Sequence, residues 1–364
     1  MICGIILTFL FALSLYIRVA IPYNTVFIDS FVRFVGYDPW YKMRLVENTL
    51  HHFPHRIYFD PFTAYPHGAY NPFGAPLFDL SLAFIIWVIG LGNPLSTLGQ
   101  HGIEVIGACY PAVLGALTVF PVYFIGKELY SKNAGLLSAA LVAILPGPFL
   151  SCSLLGFTDH HAMETLFSTS AMFFFILAVK SAREKEIGFL RKEWHSLRKP
   201  MIYSSLAGFF IASYFLAWLG APLFIFILII YSLVQHIADH LRGKKTDYLC
   251  IISMPVFIIL IMIAPARYFG FLSDFHPISL LLGIIVFLFL TALSLSMRAL
   301  KKLKPYGYPI AILAIGITSV VLLKFFDPLL YTTLTGPLLF VFAPSRSYLT
   351  IAEAEKGIAR STKK

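Results

Sequence analysis

Residues 163–200 read METLFSTSAMFFFILAVKSAREKEIGFLRKEWHSLRKP. The first part, 163–180, is apolar for about the length that crosses a bilayer, roughly 17–25 residues. The second part carries Arg183, Lys185, Arg191, Lys192, Arg198 and Lys199. An apolar run that ends in a basic connector predicts a transmembrane helix with that connector on the cytoplasmic side.

The same pattern recurs in both directions. Apolar runs occur near 3–20, 76–92, 103–126, 134–150, 163–180, 201–217, 218–236, 249–265, 278–296 and 308–324. Connectors 127–133, 180–200, 237–248 and 297–307 hold 16 of the 28 Lys and Arg residues, which places all four on the cytoplasmic side. Segments 151–162, 266–277 and the tail after Lys324 then lie outside. If 103–126 enters from outside, 21–102 must begin and end outside, so 76–92 is expected not to cross. The expectation is an all-α polytopic membrane protein with nine crossings. The first helix is 1–20, the first external loop 21–102, helices two to nine fill 103–324, and 325–364 is an external tail. The N-terminus is cytoplasmic. Arg18 is the residue that fits this topology worst, a cation at the external end of the first span.

Composition agrees. Of 364 residues, 58% are hydrophobic and 13% charged, and mean hydropathy is +0.79, which excludes a soluble globular enzyme. Thirty-five Phe and 19 Tyr exclude intrinsic disorder. The net charge of +10 follows from the cytoplasmic connectors, so nucleic acid is not an expected partner. Cys3, Cys109, Cys152 and Cys250 have no metal-knuckle or disulfide spacing. Walker A, G-x-G-x-x-G and G-x-S-x-G patterns are missing from the sequence, so NTPase, Rossmann and serine-hydrolase readings have no support.

Charges in so apolar a chain are few enough to weigh singly. Asp38, followed by Pro39, reads equally as a helix N-cap and as a functional carboxylate, with Trp40, Tyr41 and Arg44 beside it. Asp159 and His161 lie two apart at the mouth of a span. A carboxylate and an imidazole at that spacing can reach one divalent cation, although Asp159 also reads as an N-cap. His160 and Glu164 read as facing solvent or a neighbouring helix. Glu353 and Glu355 read locally as a solvated helical segment. His51, His52, His55 and His67 match no zinc spacing. Trp218 reads as a membrane-interface residue.

Together, GYDPWYKMRLVEN (36–48), HRIYFDPFTAYPHG (55–68), PAVLGALTVFPVYFIGKELYSKNAGLLSA (111–139), GFTDHHAMETLF (156–167) and TIAE (350–353) resemble the oligosaccharyltransferase catalytic subunit family in its archaeal form. The likeness implies a GT-C-like membrane fold and an external active site assembled from separated loops. It implies a metal-dependent transfer of an oligosaccharide from a dolichyl phosphate carrier to Asn in Asn-X-Ser/Thr, with Mn²⁺ or Mg²⁺ as cofactor. By resemblance, Asp38, Asp159 and His161 are metal ligands, and Asp38 and Glu353 are catalytic. Glu353 contacts the acceptor Asn, and Trp218 lies near the lipid-linked donor. The partners implied are that donor, the acceptor polypeptide, membrane lipid and a separate C-terminal domain, at an archaeal plasma membrane. Two departures stand out. The expected chain lacks the family's last four spans and its soluble Trp-Trp-Asp-Tyr-Gly domain. It also reads SCSLLGF (151–157), with Cys152 near a place where the family often has Arg. Two other readings remain: a different polyprenyl-phosphate-dependent glycosyltransferase, and a non-catalytic membrane protein that binds lipid-linked glycan.

Overall fold

Each of the ten apolar runs carries a helix. The protein's structure is a computed structural model. It describes residues 2–63, 65–70, 75–189, 194–263, 275–300, 304–328 and 330–332. Apart from three four-residue turns, the described helices are α1 (Ile2–Ala20), α2 (Asp38–His51), α3 (Leu77–Ile89), α4 (Gly99–Leu117), α5 (Val119–Leu129) and α6 (Lys132–Ile144). They continue with α7 (His161–Glu184), α8 (Trp194–Ala217), α9 (Pro222–Leu241), α10 (Asp247–Ile263), α11 (Phe275–Ala299) and α12 (Gly307–Phe326). Two short antiparallel hairpins lie before α3: β1 (Phe27–Ile28) with β2 (Phe31–Val32), and β3 (Phe59–Asp60) with β4 (Ala69–Tyr70).

Among the described residues, seven helices are long and apolar enough to cross a membrane, where the sequence led to an expectation of nine crossings. They are the stretches 2–26, 99–129, 161–184, 195–217, 222–241, 276–299 and 307–326. Of the nine expected spans, α6 and α10 fall among the shorter apolar helices, together with α3. The 13 residues of α6 rise only about 20 Å, less than a hydrocarbon core of about 30 Å. Pro146 and Gly147 stop α6 early, whereas the expected run continued to 150. The expected non-crossing helix is α3, also 13 residues long. It places Asp79 in its first turn, fully buried against Arg56 and Lys42.

The chain divides into two units, Met1–Leu295 and Ser296–Lys364. In the second, α12 is a 20-residue apolar helix with Tyr308 buried near its start. In the first, two apolar clusters do most of the packing. One joins α7, α8, α9 and α10 through Phe175, Phe215, Phe224 and Phe257. Small residues let these backbones approach, as membrane helices require when lipid supplies no hydrophobic drive between them. Ala171 and Ala178 on α7, with Ala207 and Ala212 on α8, are fully buried. A Cβ on Gly208 would come within 2.9 Å of the Val256 backbone.

The second cluster seats the first loop on the membrane helices. Met43, Val46 and Leu50 of α2, with Phe78, Leu82 and Ile86 of α3, pack against Ile103, Ala108 and Leu114 of α4 and Met163 of α7. Met43 nests over Gly107, where a Cβ would meet its sulfur at 2.4 Å. This apolar clamp holds the segment carrying Asp38 over the start of α7.

Arg18, the misfit of the topology, is fully buried and satisfied. Its guanidinium donates to the Val142 and Ala143 carbonyls at 3.3 and 3.2 Å, and to Ser153 Oγ at 2.9 Å. It also bonds the Ser14 carbonyl and hydroxyl and lies over Phe149. The last carbonyls of α6 have no helical partner, and the end of a helix dipole favours a cation. Arg18 is therefore the C-terminal cap of α6.

Candidate metal centre

Pro111 sits inside α4 and has no N–H to give to the Gly107 carbonyl four residues earlier. The Thr158 hydroxyl donates to that carbonyl at 2.9 Å. At the next residue, the Ala108 carbonyl accepts from Gly156 N–H at 2.9 Å. The Gly156 carbonyl accepts from Val35 N–H at 2.9 Å, and Leu155 N–H donates to the Arg18 carbonyl at 2.9 Å. Gly156 takes φ +81°, and a Cβ there would strike Val26 at 2.9 Å, so this turn requires glycine. Segment 155–158 is thus tied to α1, α4 and the strand region before α2, and it delivers Asp159 to a fixed place.

Asp159 is 1% exposed. Its Oδ1 accepts from the His160 backbone N–H at 2.8 Å and lies 2.5 Å from His160 Nδ1. Its Oδ2 lies 3.3 Å from His161 Nε2. The two rings stack with centroids 4.6 Å apart. Ligating atoms of Asp159, His160 and His161 all lie within 4.8 Å of one another, and this is the metal-capable cluster found among the described residues. Burial pushes the Asp159 carboxyl up, but the hydrogen bonds and charge of His160 and the charge of His161 outweigh it. The group stays below its ordinary pKa and remains a carboxylate.

Glu164 completes the arrangement. Its Oε1 lies 3.1 Å from His160 Nε2 and 3.1 Å from His161 Nδ1. A carboxylate behind a ligating imidazole fixes the ring and raises its basicity. His160 and Glu164, expected to face solvent or a neighbouring helix, instead join the site. The signal was the spacing: His160 and Glu164 are four apart, His161 and Glu164 three apart, on one helical face.

Asp38 is in the first turn of α2, with Tyr37 as the N-cap residue and Pro39 next. It is therefore not the cap the sequence allowed. It is exposed, makes no hydrogen bond among the described residues, and lies within electrostatic reach of His161. Arg44, beside it in sequence, is committed elsewhere. It forms a two-pronged pair with Asp60, at 2.6 and 2.7 Å. Trp40 packs on Phe31 and Phe34 instead of lining a site with Asp38.

Trp218 packs against Tyr214 with ring centroids 5.7 Å apart, and Tyr214 is within electrostatic reach of Glu164. The ring also covers Gly220, where a Cβ would meet it at 2.3 Å. Glu353 and the rest of the T-I-A-E motif lie outside the described residues.

One buried carboxylate flanked by two imidazoles fits a divalent ion of borderline softness, such as Mn²⁺ or Zn²⁺, better than an all-oxygen Mg²⁺ site.

Comparison with known proteins gives this site a context. The family model "Oligosaccharyl transferase STT3, N-terminal" matches residues 8–345. Dolichyl-phosphooligosaccharide-protein glycotransferase 3 of Archaeoglobus fulgidus is 40% identical over 208 residues, which are 57% of this chain and 22% of that protein. The AglB glycotransferase of Haloferax volcanii is 31% identical over 350 residues, 91% of this chain and 32% of that protein. The chain thus spans a third or less of the length of these relatives. The solved structure of A. fulgidus AglB with an inhibitory peptide and a dolichol-phosphate superposes with TM-score 0.80 at 29% identity. That match covers 96% of this chain and 40% of the other. The A. fulgidus oligosaccharyltransferase in complex with Zn and sulfate superposes with TM-score 0.74 at 28% identity, over 94% of this chain and 43% of that one. With its motifs, its helical architecture and its match from residue 8 to residue 345 in agreement, the chain belongs to the oligosaccharyl transferase STT3 family.

Proposed function

We propose that the chain carries the membrane-embedded, metal-binding part of an oligosaccharyltransferase. Such an enzyme moves an oligosaccharide en bloc from a dolichyl phosphate carrier to the Asn of an Asn-X-Ser/Thr sequon. The single observation that carries this reading is the Asp159–His160–His161 cluster, backed by Glu164, with Asp38 in electrostatic reach.

In this reading Asp159, His161 and Asp38 hold the ion, and His160 is a further candidate. The donor set favours Mn²⁺ over Mg²⁺. A bound divalent ion supplies Lewis-acid neutralisation of the departing lipid phosphate. Asp159 stays ionised and anchored through its His160 contacts. Glu164 orients both imidazoles. Asp38, hydrogen-bonded to neither its helix nor a described neighbour, is placed to accept from the N–H groups of the acceptor amide. That bond weakens conjugation of the nitrogen lone pair with the carbonyl and aims the nitrogen at the anomeric carbon. Glu353 takes the second N–H, and Trp218 lies beside the lipid-linked donor. The setting is an archaeal plasma membrane with the site on the external face. A C-terminal domain supplied by the same or a separate polypeptide reads the rest of the sequon.

The test is an in vitro transfer assay with lipid-linked glycan, Mn²⁺ and an Asn-X-Thr peptide. It is run with this chain alone and with a family C-terminal domain added. Glycopeptide in either arm, lost in Asp159→Ala and Asp38→Ala, supports the reading. Sugar on lipid and not on peptide points to a different polyprenyl-phosphate-dependent transferase. Lipid-linked glycan bound with no transfer in either arm points to a non-catalytic binder.

A further inference from the structure

The β3–β4 hairpin of the first loop has two unlike faces. Phe59 pairs with Tyr70, and Asp60 with Ala69. Successive side chains of a strand point to opposite faces, so Phe59 and Tyr70 share one face and Asp60 and Ala69 the other. The Asp60 face is turned inward. Its carboxylate is fully buried and accepts from Arg44, the Thr63 hydroxyl and the Phe62 N–H. On the other face Phe59 lies over Gly68, where a Cβ would strike its ring. Tyr70 packs against Phe59 with ring centroids 4.8 Å apart, and against Tyr58 at 5.6 Å.

The exposed side chains of the hairpin and its turn form an aromatic patch. Tyr58 is 67% exposed, Phe62 75%, Tyr65 82% and Tyr70 69%. Every exposed large hydrophobic among the described residues of 57–70 is Phe or Tyr. The hydroxyls of Tyr58, Tyr65 and Tyr70 make no hydrogen bond among the described residues. Asp60 is the one Asp, Glu, Lys or Arg of 57–70, and Arg44 neutralises it. The same guanidinium lies 5.1 Å from the centroid of the Phe62 ring.

A contiguous exposed apolar patch marks an interaction site, and its chemistry selects the partner. A phosphate headgroup or an acidic peptide needs an unpaired cation, and 57–70 contains no Lys or Arg. A hydrocarbon surface or the apolar face of a helix is met by aliphatic wedges. Segment 57–70 contains no Leu, Val or Met, and Ile57 is not exposed. A sugar ring presents a flat face of C–H groups, which rests on the electron-rich face of an aromatic ring. It also presents a rim of hydroxyls, which unpaired phenols can meet. Position agrees with chemistry. Arg44 lies six residues after Asp38 on α2, about 9 Å along the axis at 1.5 Å per residue. The Arg44–Asp60 pair therefore fixes the hairpin less than two helical turns from the carboxylate assigned to the acceptor amide.

We propose that Tyr58, Phe62, Tyr65 and Tyr70 are a carbohydrate-binding platform for the sugars of the donor oligosaccharide beyond the one bonded to phosphate. This rests on the transfer reading above. It makes the first loop a glycan-selecting element as well as the carrier of Asp38.

The test measures binding of the purified full chain in nanodiscs to four probes. They are dolichyl phosphate, dolichyl phosphate bearing one glucose, dolichyl phosphate bearing a neutral hexose tetrasaccharide, and an Asn-X-Thr peptide. The variants are Tyr58→Ala with Tyr70→Ala, and Tyr58→Phe with Tyr70→Phe, each checked for an unchanged melting curve and Mn²⁺ affinity. The parent should hold the tetrasaccharide carrier more tightly than the glucose carrier. The alanine pair should bind the tetrasaccharide carrier about tenfold more weakly, the loss expected for two ring contacts, with dolichyl phosphate unchanged. The phenylalanine pair keeps both ring faces and should retain most of the affinity. Equal parent affinity for the two glycan carriers, or an alanine pair that binds the tetrasaccharide carrier like the parent, overturns the platform and leaves the transfer reading standing. Affinity lost for the peptide and not for the tetrasaccharide would make the patch a polypeptide surface and overturn the glycan assignment. A parent that binds none of the dolichyl phosphate probes would overturn the transfer reading and the platform with it.

Discussion

The Thr158 hydroxyl donates to the Gly107 carbonyl at 2.9 Å, filling the acceptor that Pro111 leaves open in α4. The proline of one membrane helix thereby provides the anchor for the residue before Asp159. Thr158→Val removes the donor and strands a buried carbonyl, at a cost of about 1–3 kcal/mol. The melting temperature in detergent should fall, and Mn²⁺ affinity should fall with it. Thr158→Ser should restore both. A Thr158→Val chain that melts and binds metal like the parent would refute the anchor.

Metal binding itself gives the second prediction. Asp159→Ala should abolish Mn²⁺ binding by calorimetry or electron paramagnetic resonance. Glu164→Gln leaves the ligands in place but removes the carboxylate behind both rings, so affinity should drop about 10–100-fold. If Glu164→Gln binds as tightly as the parent while Asp159→Ala does not, Glu164 has no part in orienting the histidines.

The Arg44–Asp60 pair predicts a pH dependence in the first loop. The Arg44 hydrogen bonds hold the buried Asp60 carboxyl well below its ordinary value, helped by Thr63 and the Phe62 N–H. A depressed carboxylate stabilises the fold fully above its unfolded pKa, about 3.9, and progressively less as pH falls toward the folded value. Loop proteolysis should therefore be flat from pH 7 to 5 and accelerate below about pH 4. Asp60→Asn should destabilise the loop by about 2 kcal/mol at pH 7, a figure discounted because Arg44 is a third exposed. It should also flatten the acid limb; an unchanged acid limb would assign it to another carboxylate.

Arg18 yields the fourth. Arg18→Met should free the Val142 and Ala143 carbonyls and the Ser153 hydroxyl together, costing about 2–4 kcal/mol. Arg18→Lys keeps the charge at the end of α6 but not the fan of donors, and should recover only part of the melting temperature. Full recovery by Lys would mean that charge alone suffices.

Much of this was readable from the residues in order. Apolar runs of bilayer length and basic connectors determined a helical membrane protein, because a bilayer admits only elements that satisfy their own backbone. Asp38, Asp159 and His161 stood out because charges are rare in such a chain. Their assembly was not readable. Asp38 and Asp159 are 121 residues apart in sequence, and Asp38 comes within electrostatic reach of His161 because Met43 and Leu50 of α2 pack onto α4, and α4 onto the start of α7. Such packing leaves no local periodicity. The partners of Arg18, Arg44 and Asp79 were hidden for the same reason. A lone charge in a sequence reads as a cost until the fold shows which carbonyl or carboxylate meets it. The tertiary structure also brought His160 and Glu164 into the site, since only the turn at 155–159 decides which way the first residues of α7 point. The sequence thus determined the solvent, the element type and the scarce chemical groups. Long-range packing alone decided which of those groups share one site.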